Sequence, residues 1–410
     1  MRITTASSYA TTIDNLQLRQ QGLSDAQTRL SSGKRVLKAS DDPAAAARVE
    51  RALAAESRGD ASQRSVDASK VLMSQTESAL GSANELLSQV REALVAAGNA
   101  SYTDAERVIQ ASKIQGLRDQ LLQVANRSDG AGSYLFGGQG SNQPPFVDTP
   151  GGVAFRGIAG QTLTDADTAL PLSTDGNAAW LSSRTGNGVF VTRAAGNNVT
   201  SQPVKGAWID PGSVNDPSQL FPAADTGYRI RFTSATDYTV ESFSPLATPT
   251  VVTTESTGTF SSGRAIDVHG TSVNIAGAPV AGDQFEITPS APTLSVFAAL
   301  DQAVANLKQP GLTGSQRAQG TSDALRNVDA SLGTLSTARA SAGDVLNSID
   351  AVTNRLSDQK LDAQTQRSNA EDLDMVQALS DFQNKQNGYD AALKSYSAIQ
   401  KLSLFQYVNP

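Results

Sequence analysis

The 410-residue chain has no cysteine and a single histidine, His269. The first absence removes disulfides, thiolate metal sites and cysteine nucleophiles. The second removes multi-histidine metal cages and leaves a serine-type triad one candidate base. No apolar run approaches the length that spans a bilayer. The opening MRITTASSYATTIDN has no apolar stretch followed by a cleavage site. By these signals alone the chain reads as cytosolic, with export through an uncleaved N-terminus left open. The net charge of −7 comes without a basic run of the kind that tracks a phosphate backbone. Neither nucleic acid nor membrane is therefore expected as a partner. Proline is scarce in both flanks, because twelve of the sixteen prolines lie between residues 140 and 290.

That central segment also carries both tryptophans, Trp180 and Trp208, and seven Lys/Arg against thirteen Asp/Glu. Runs such as YRIRFTS, DYTVESF and VVTTES are β-branched or alternating, and Gly, Pro, Asn and Asp punctuate them, which is a strand-and-turn pattern. The flanks are rich in Ala, Leu, Gln and Ser and read as helix. The expected fold is mainly α with an inserted β domain. Both termini build a long antiparallel helical bundle or coiled-coil rod, and a central antiparallel β-rich module projects from it. The expected division places residues 1–40 and 370–410 in a terminal coiled-coil domain. Residues 41–139 and 291–369 form a long-helix bundle, and 140–290 the β-rich outer domain.

The helical flanks repeat at close to 3.5 residues. Val66, Met73, Leu80, Leu87 and Leu94 recur every seven, and Ser69, Thr76, Ala83, Val90 and Ala97 fill the companion positions. This predicts one seam on a rod with close helix approach. Asp42 suits an N-cap and Pro43 the first helical position; a helix from there to about residue 98 would be roughly 80 Å long. Beyond the insert, Leu325, Val328, Leu332, Leu335, Ala342, Leu346, Ile349 and Leu356 continue the pattern. At the ends, Ile13, Leu16, Leu23 and Leu30 form one stripe, and Leu379, Phe382, Tyr389, Leu393 and Tyr396 another, with Leu404 beyond. Short helices seldom persist alone, since nucleation carries a factor of about 10⁻³. Pairing the two ends covers only one face of each. These ten residues are therefore the candidate assembly interface, and the termini are expected to finish folding between copies of the chain.

Between the first two helical patterns stands RLSSGKRVLKASDDPAAAARV, residues 29–49. It resembles the N-terminal signature of the flagellin superfamily, although Pro43 intervenes where alanine or glycine ordinarily follows the acidic pair. The start MRITT, the segment GSYLFGGQGSNQPPF and the ending KLSLFQYVNP are similar to the hook-associated protein 3 family, and VNIAGAPVAGDQFEITPS to the strand re-entering the helical domain. This resemblance implies a secreted, extracellular structural protein, exported unfolded by the flagellar type III machinery with a chaperone on its C-terminal stripe. It implies a ring joining hook-associated protein 1 to the flagellin filament. It also implies that Ser31, Ser32, Gly33, Ser40, Asp41, Asp42 and Pro43 connect two concentric layers.

Other features read more plainly. Gly137-Gly138-Gln139-Gly140 lacks the spacing of a phosphate loop and is expected to be a turn. Asp165, Asp167 and Asp175 lack the glycine and glutamate of a calcium loop. His269 has no GxSxG companion. Trp180, Trp208, Tyr228 and Tyr238 are expected in the β-domain core. No catalytic, cofactor-binding or metal residue is assigned, and no cofactor or enzyme activity is expected. Two other readings stay open: a flagellin filament subunit, and a secreted adhesin or enzyme acting through residues 150–290.

Overall fold

The computed structural model describes residues 5–140, 142–164, 168–221, 225–244 and 252–408, with side chains described from residue 10 to residue 398. The helices are α1 (Thr5–Ser32), α2 (Pro43–Ala97), α3 (Asp104–Ala125), α4 (Gly176–Trp180), α5 (Val296–Lys308), α6 (Gly314–Glu371) and α7 (Met375–Val408). The strands are β1 (Phe146–Thr149), β2 (Gly152–Phe155), β3 (Phe190–Asn197), β4 (Ala207–Ile209), β5 (Ser213–Val214) and β6 (Gly227–Phe232), then β7 (Asp237–Phe243), β8 (Val252–Thr259), β9 (Ile266–Val268), β10 (Thr271–Val273), β11 (Ile275–Gly277) and β12 (Asp283–Pro289). The fold is thus mainly α with an inserted antiparallel β module. The chain forms two compact units, residues 1–64 with 351–410, and residues 65–350. Each is described by itself.

In the 65–350 unit the heptad seam of α2 is the core. Val66, Met73, Leu80, Leu87 and Leu94 are all buried, as are Ser69, Thr76, Ala83, Val90 and Ala97 between them. Leu80 onward packs with Ile114, Leu117 and Leu121 of α3, Phe297 and Leu300 of α5, and Val328 and Leu335 of α6 in one cluster. Ion pairs set the α2–α6 register. Lys70 meets Asp350 at 2.7 Å, Glu77 meets Arg339 at 2.6 Å and Arg91 meets Asp329 at 2.8 Å. As one partner's number rises the other's falls, so the helices run antiparallel. α3 starts on a capping box, in which Glu106 N–H donates to Thr103 Oγ1 and Thr103 N–H to the Glu106 carboxylate.

The segment GSYLFGGQGSNQPPF contributes to this helical core. Leu135, Phe136 and Phe146 are buried in it. Gly138, at φ +70°, takes a crossing so close that an added Cβ would lie 1.8 Å from the Ile158 carbonyl oxygen. Trp180 corrects one expectation, because it is not part of the β-domain core. Its ring stacks on Phe297 at 5.9 Å and meets Phe136 edge-on at 5.4 Å, inside the helical cluster. The short helix α4, capped by Asp175, carries it there. Beside this cluster Arg118 is buried and holds Asp301 at 3.0 Å and Asp148, tying α3 to α5 and β1.

The β module is built on a five-stranded antiparallel sheet in the order β3-β12-β6-β7-β8. Alternation decides its faces: Tyr228, Ile230 and Phe232 of β6 and Phe285 and Ile287 of β12 are buried in a second core with Ile209, Val268 and Val273. On the opposite face Glu286 takes hydrogen bonds from Arg193 Nε and Arg229 Nη2 at 2.8 Å each, and Arg231 Nε reaches Glu241 at 2.6 Å. Smaller sheets order as β5-β10-β9 and β11-β4, with the hairpin β1-β2 apart. Tyr228 and the half-buried Tyr238 belong to this second core, whereas Trp208 is only half-buried and joins neither cluster.

Candidate assembly surfaces and the connector

In the unit formed by residues 1–64 and 351–410, α1 and α7 pack together. Arg19 Nη1 lies 2.8 Å from where a Cβ on Gly388 would stand, and Lys34 bridges antiparallel to Asp372. The two helices therefore run antiparallel. Both terminal segments are helical. Each offers the other a partly covered stripe. Ile13, Leu16, Leu23 and Leu30 of α1 are half-buried, as are Phe382, Tyr389 and Tyr396 of α7. Leu379 and Leu393 are 49% and 39% exposed. The Leu404 side chain lies outside the described residues, as do Ile399, Leu402 and Phe405.

What stands out is the thinness of this pairing. Among the described residues, no side chain of α1 or α7 is buried. Leu18 is 65% exposed and Val376 80% exposed. Full burial of a leucine-sized side chain is worth about 1.5–3 kcal/mol, so a half-covered stripe leaves much of that gain unrealised.

The connector is better fastened than the helices it joins. Ser31 and Ser32 are not part of it. They close α1, donating their hydroxyls to the Thr28 and Arg29 carbonyls at 3.0 Å each. The turn begins at Gly33, whose φ of +69° favours glycine. From there the chain pairs with the turn between α6 and α7. Arg35 N–H donates to the Glu371 carbonyl at 2.6 Å, and Leu373 N–H to the Gly33 carbonyl at 2.9 Å. Side chains repeat the link: Lys34 Nζ meets Glu371 at 3.1 Å, and Arg35 Nη2 donates to the Ala370 carbonyl at 2.8 Å. Val36 is buried beneath this latch, the first buried side chain among the described residues.

The acidic pair shapes the exit. Asp41 Oδ2 accepts from the amides of Leu37 and Lys38 at 3.1 Å each, folding 37–41 into a tight loop in which Ser40 is exposed. Those two amides hold its carboxyl below the usual aspartate range. Asp42 Oδ1 accepts from Ala45 N–H at 3.0 Å, the N-cap bond of α2, while Arg35 Nη1 reaches its other oxygen at 3.2 Å. The Ala45 amide, then Arg35, lowers the Asp42 pKa. Pro43 is the first residue of α2. Downstream in this unit, Asp60 pairs with Lys360 at 2.7 Å and Glu56 with Arg367 at 2.8 Å.

The sequence reading did not foresee Lys34, Arg35 and Glu371. Arg35 and Ala370 stand 335 residues apart, and a charged residue in a turn carries no periodic signal. The other features weighed in the sequence have structural roles. Asp175 caps α4 by accepting from Ala178 N–H, while Asp165 and Asp167 lie outside the described residues. Among the described residues no group of three or more His, Cys, Asp or Glu could hold a metal ion, and no helix is long and apolar enough to cross a membrane. His269 sits in the turn between β9 and β10 at φ +41°, its ring stacked on Tyr228 at 4.4 Å.

Residues 3–141 match the family of the bacterial flagellin N-terminal helical region. Flagellar hook-associated protein 3 of Salmonella typhimurium is 33% identical over 154 residues, which cover 37% of this chain and 48% of that protein. The chain thus spans about half the length of that relative. The Escherichia coli protein of the same name is 24% identical over 386 residues, covering 92% of this chain and 90% of its own length. A crystal structure of Xanthomonas campestris FlgL superposes with a TM-score of 0.67 at 29% identity, over 78% of this chain and 99% of that one. With a latched connector between amphipathic terminal helices, and this likeness running through both flanks, the chain is similar in sequence and fold to flagellar hook-associated protein 3 (FlgL).

Proposed function

We propose that this chain is a non-catalytic adaptor, secreted to the cell exterior, that forms a ring at the junction of hook and filament. One ring face would meet hook-associated protein 1 and the other would present a flagellin-like surface on which the filament grows. The observation that carries this reading is the α1–α7 pair, which buries no side chain among its described residues while displaying Leu18, Val376, Leu379 and Leu393. Neighbouring copies would complete that burial, so assembly finishes a surface that the single chain has begun. In this arrangement residues 1–40 and 370–410 form the inner layer, 41–139 and 291–369 the next, and the 140–290 module the exterior.

Export would proceed through the flagellar type III machinery, and a chaperone would shield the α7 stripe until then. Torque is carried by long helical interfaces, so no single side chain holds the function. The test is electron microscopy of cells lacking the chain. Hooks without filaments, and flagellin shed into the medium, are the expected result. Normal filaments on such cells would overturn the proposal.

A further inference from the structure

The two-stranded sheet of β4 and β11 uses only one of its faces for packing. Ala207 and Ile209 of β4 and Ile275 of β11 are buried in the second core. Side chains alternate along a strand, so Trp208 and Asp210 point away from that core, as do Asn274 and Ala276. The register sets Ile275 opposite Ile209 and Ala276 opposite Trp208. Asn274 is level with Asp210, whose N–H donates to the Asn274 carbonyl at 3.0 Å. One face of this strand pair therefore carries an indole, a carboxylate, a carboxamide and a methyl group.

The polar pair is held in place. Asp210 Oδ1 accepts from Asn274 N–H at 2.9 Å and Gly212 N–H at 3.0 Å, and Oδ2 accepts from Asn274 Nδ2 at 3.0 Å. Asn274 is exposed, and its Oδ1 accepts no bond among the described residues. Asp210 has no cationic partner among them either. Trp208 is half-buried, and its Nε1 likewise lacks a partner among the described residues. The two tryptophans differ in this respect. Trp180 is fully buried in a core, whereas Trp208 joins neither cluster. Ala276, across the ladder, is too small to cover the indole.

A pyranose ring has the matching layout, with C–H groups on a face and hydroxyls around the rim. The negative face of an indole attracts such C–H groups. Residues two apart on a strand are about 7 Å apart, so a ring on Trp208 brings its rim to the next side chain on that face. There Asp210 accepts from a hydroxyl, while Asn274 both donates and accepts. An anionic sugar would bring its charge towards Asp210, which no cation among the described residues offsets.

We propose that this face of β4 and β11 binds one pyranose ring of a neutral glycan, stacked on Trp208 with neighbouring hydroxyls on Asp210 and Asn274. The site needs no second copy of the chain and shares no residue with the α1–α7 surface, so its failure would leave the adaptor reading untouched.

The test uses the full chain with methyl β-glucopyranoside, methyl β-galactopyranoside and methyl α-mannopyranoside as probes. Glucuronate is the anionic control and glycerol the non-cyclic one. Trp180 is 0% exposed, so emission quenched by acrylamide reports Trp208. At least one neutral glycoside should shield that emission saturably, with a Kd of about 1–10 mM. Asn274→Ala should weaken binding about tenfold while Trp208 still reports it. Trp208→Ala should abolish saturation transfer to the glycoside in nuclear magnetic resonance. Asn274 is exposed, so its variant decides the matter if Trp208→Ala fails to fold. Saturable binding by none of the three glycosides would overturn the proposal. So would an equal response to glycerol, glucuronate binding as tight as the neutral sugars, or wild-type affinity in Asn274→Ala.

Discussion

The Arg35 amide donates to the Glu371 carbonyl at 2.6 Å, and the Arg35 guanidinium reaches the neighbouring Ala370 carbonyl at 2.8 Å. One residue thus ties the connector after α1 to the turn before α7 through both backbone and side chain. Arg35→Ala keeps the backbone bond and removes the guanidinium, including its contact with Asp42. The expected cost is about 1 kcal/mol, the value for a charge-assisted bond discounted for a half-exposed side chain. Hydrogen exchange should show faster opening at residues 33–42 and 371–374 together, because the latch is shared. Protection lost on one strand only would mean the two turns are held independently.

Acid should loosen the same connector. Backbone amides, and for Asp42 also Arg35, hold the folded Asp41 and Asp42 carboxyls below the ordinary aspartate range. A lowered pKa means their contribution is present above the unfolded value and fades as pH falls below it. Proteolysis of the 37–42 loop is therefore expected to accelerate as pH drops below about 4. Asp41→Asn with Asp42→Asn should be susceptible already at neutral pH and lose most of this pH dependence. An unchanged acid response in the double variant would place the titrating groups elsewhere.

Sequence periodicity made the long helices legible because burial there repeats with the chain: every seventh residue from Val66 to Leu94 is buried. Pro43 and Asp42 marked the start of α2 for local reasons, a fixed φ and a capping oxygen. The latch was not legible, since Lys34 and Glu371 meet across the whole chain and neither belongs to a repeat. Trp180 was misplaced for a related reason. It lies inside the β-rich stretch of sequence, and only the short helix α4 returns it to the helical core. Ser31 and Ser32 were expected in the connector, yet they lie in the last turn of α1, where their hydroxyls donate to the Thr28 and Arg29 carbonyls.

Trp180 offers a test of that core. Its indole is fully buried between Phe297, Phe136 and Phe146, while Nε1 has no partner among the described residues. Trp180→Ala should destabilise the 65–350 unit by about 3–5 kcal/mol, the range for emptying a large aromatic site. Trp180→Phe should cost markedly less, because it keeps a ring against Phe297 and removes an unsatisfied donor. Chemical denaturation read by circular dichroism separates the two. Equal losses in both variants would mean that shape, not ring stacking, sets the stability here.

The assembly surface is tested by placing charge on it. Leu393 is 39% exposed in the single chain, so Leu393→Asp leaves its carboxylate room to stay hydrated and should hardly disturb folding. Within a ring the same position would be dry, and an unpaired buried carboxylate costs several kcal/mol. The variant should be made and exported, keep the thermal transition of residues 65–350, and still fail to support filaments in cells lacking the wild-type chain. Leu23→Asp, on the half-buried stripe of α1, should fail in the same way and also weaken the α1–α7 pair. Motility restored by Leu393→Asp would show that this face of α7 stays wet in the appendage, and the assembly surface would have to lie on another side of the pair.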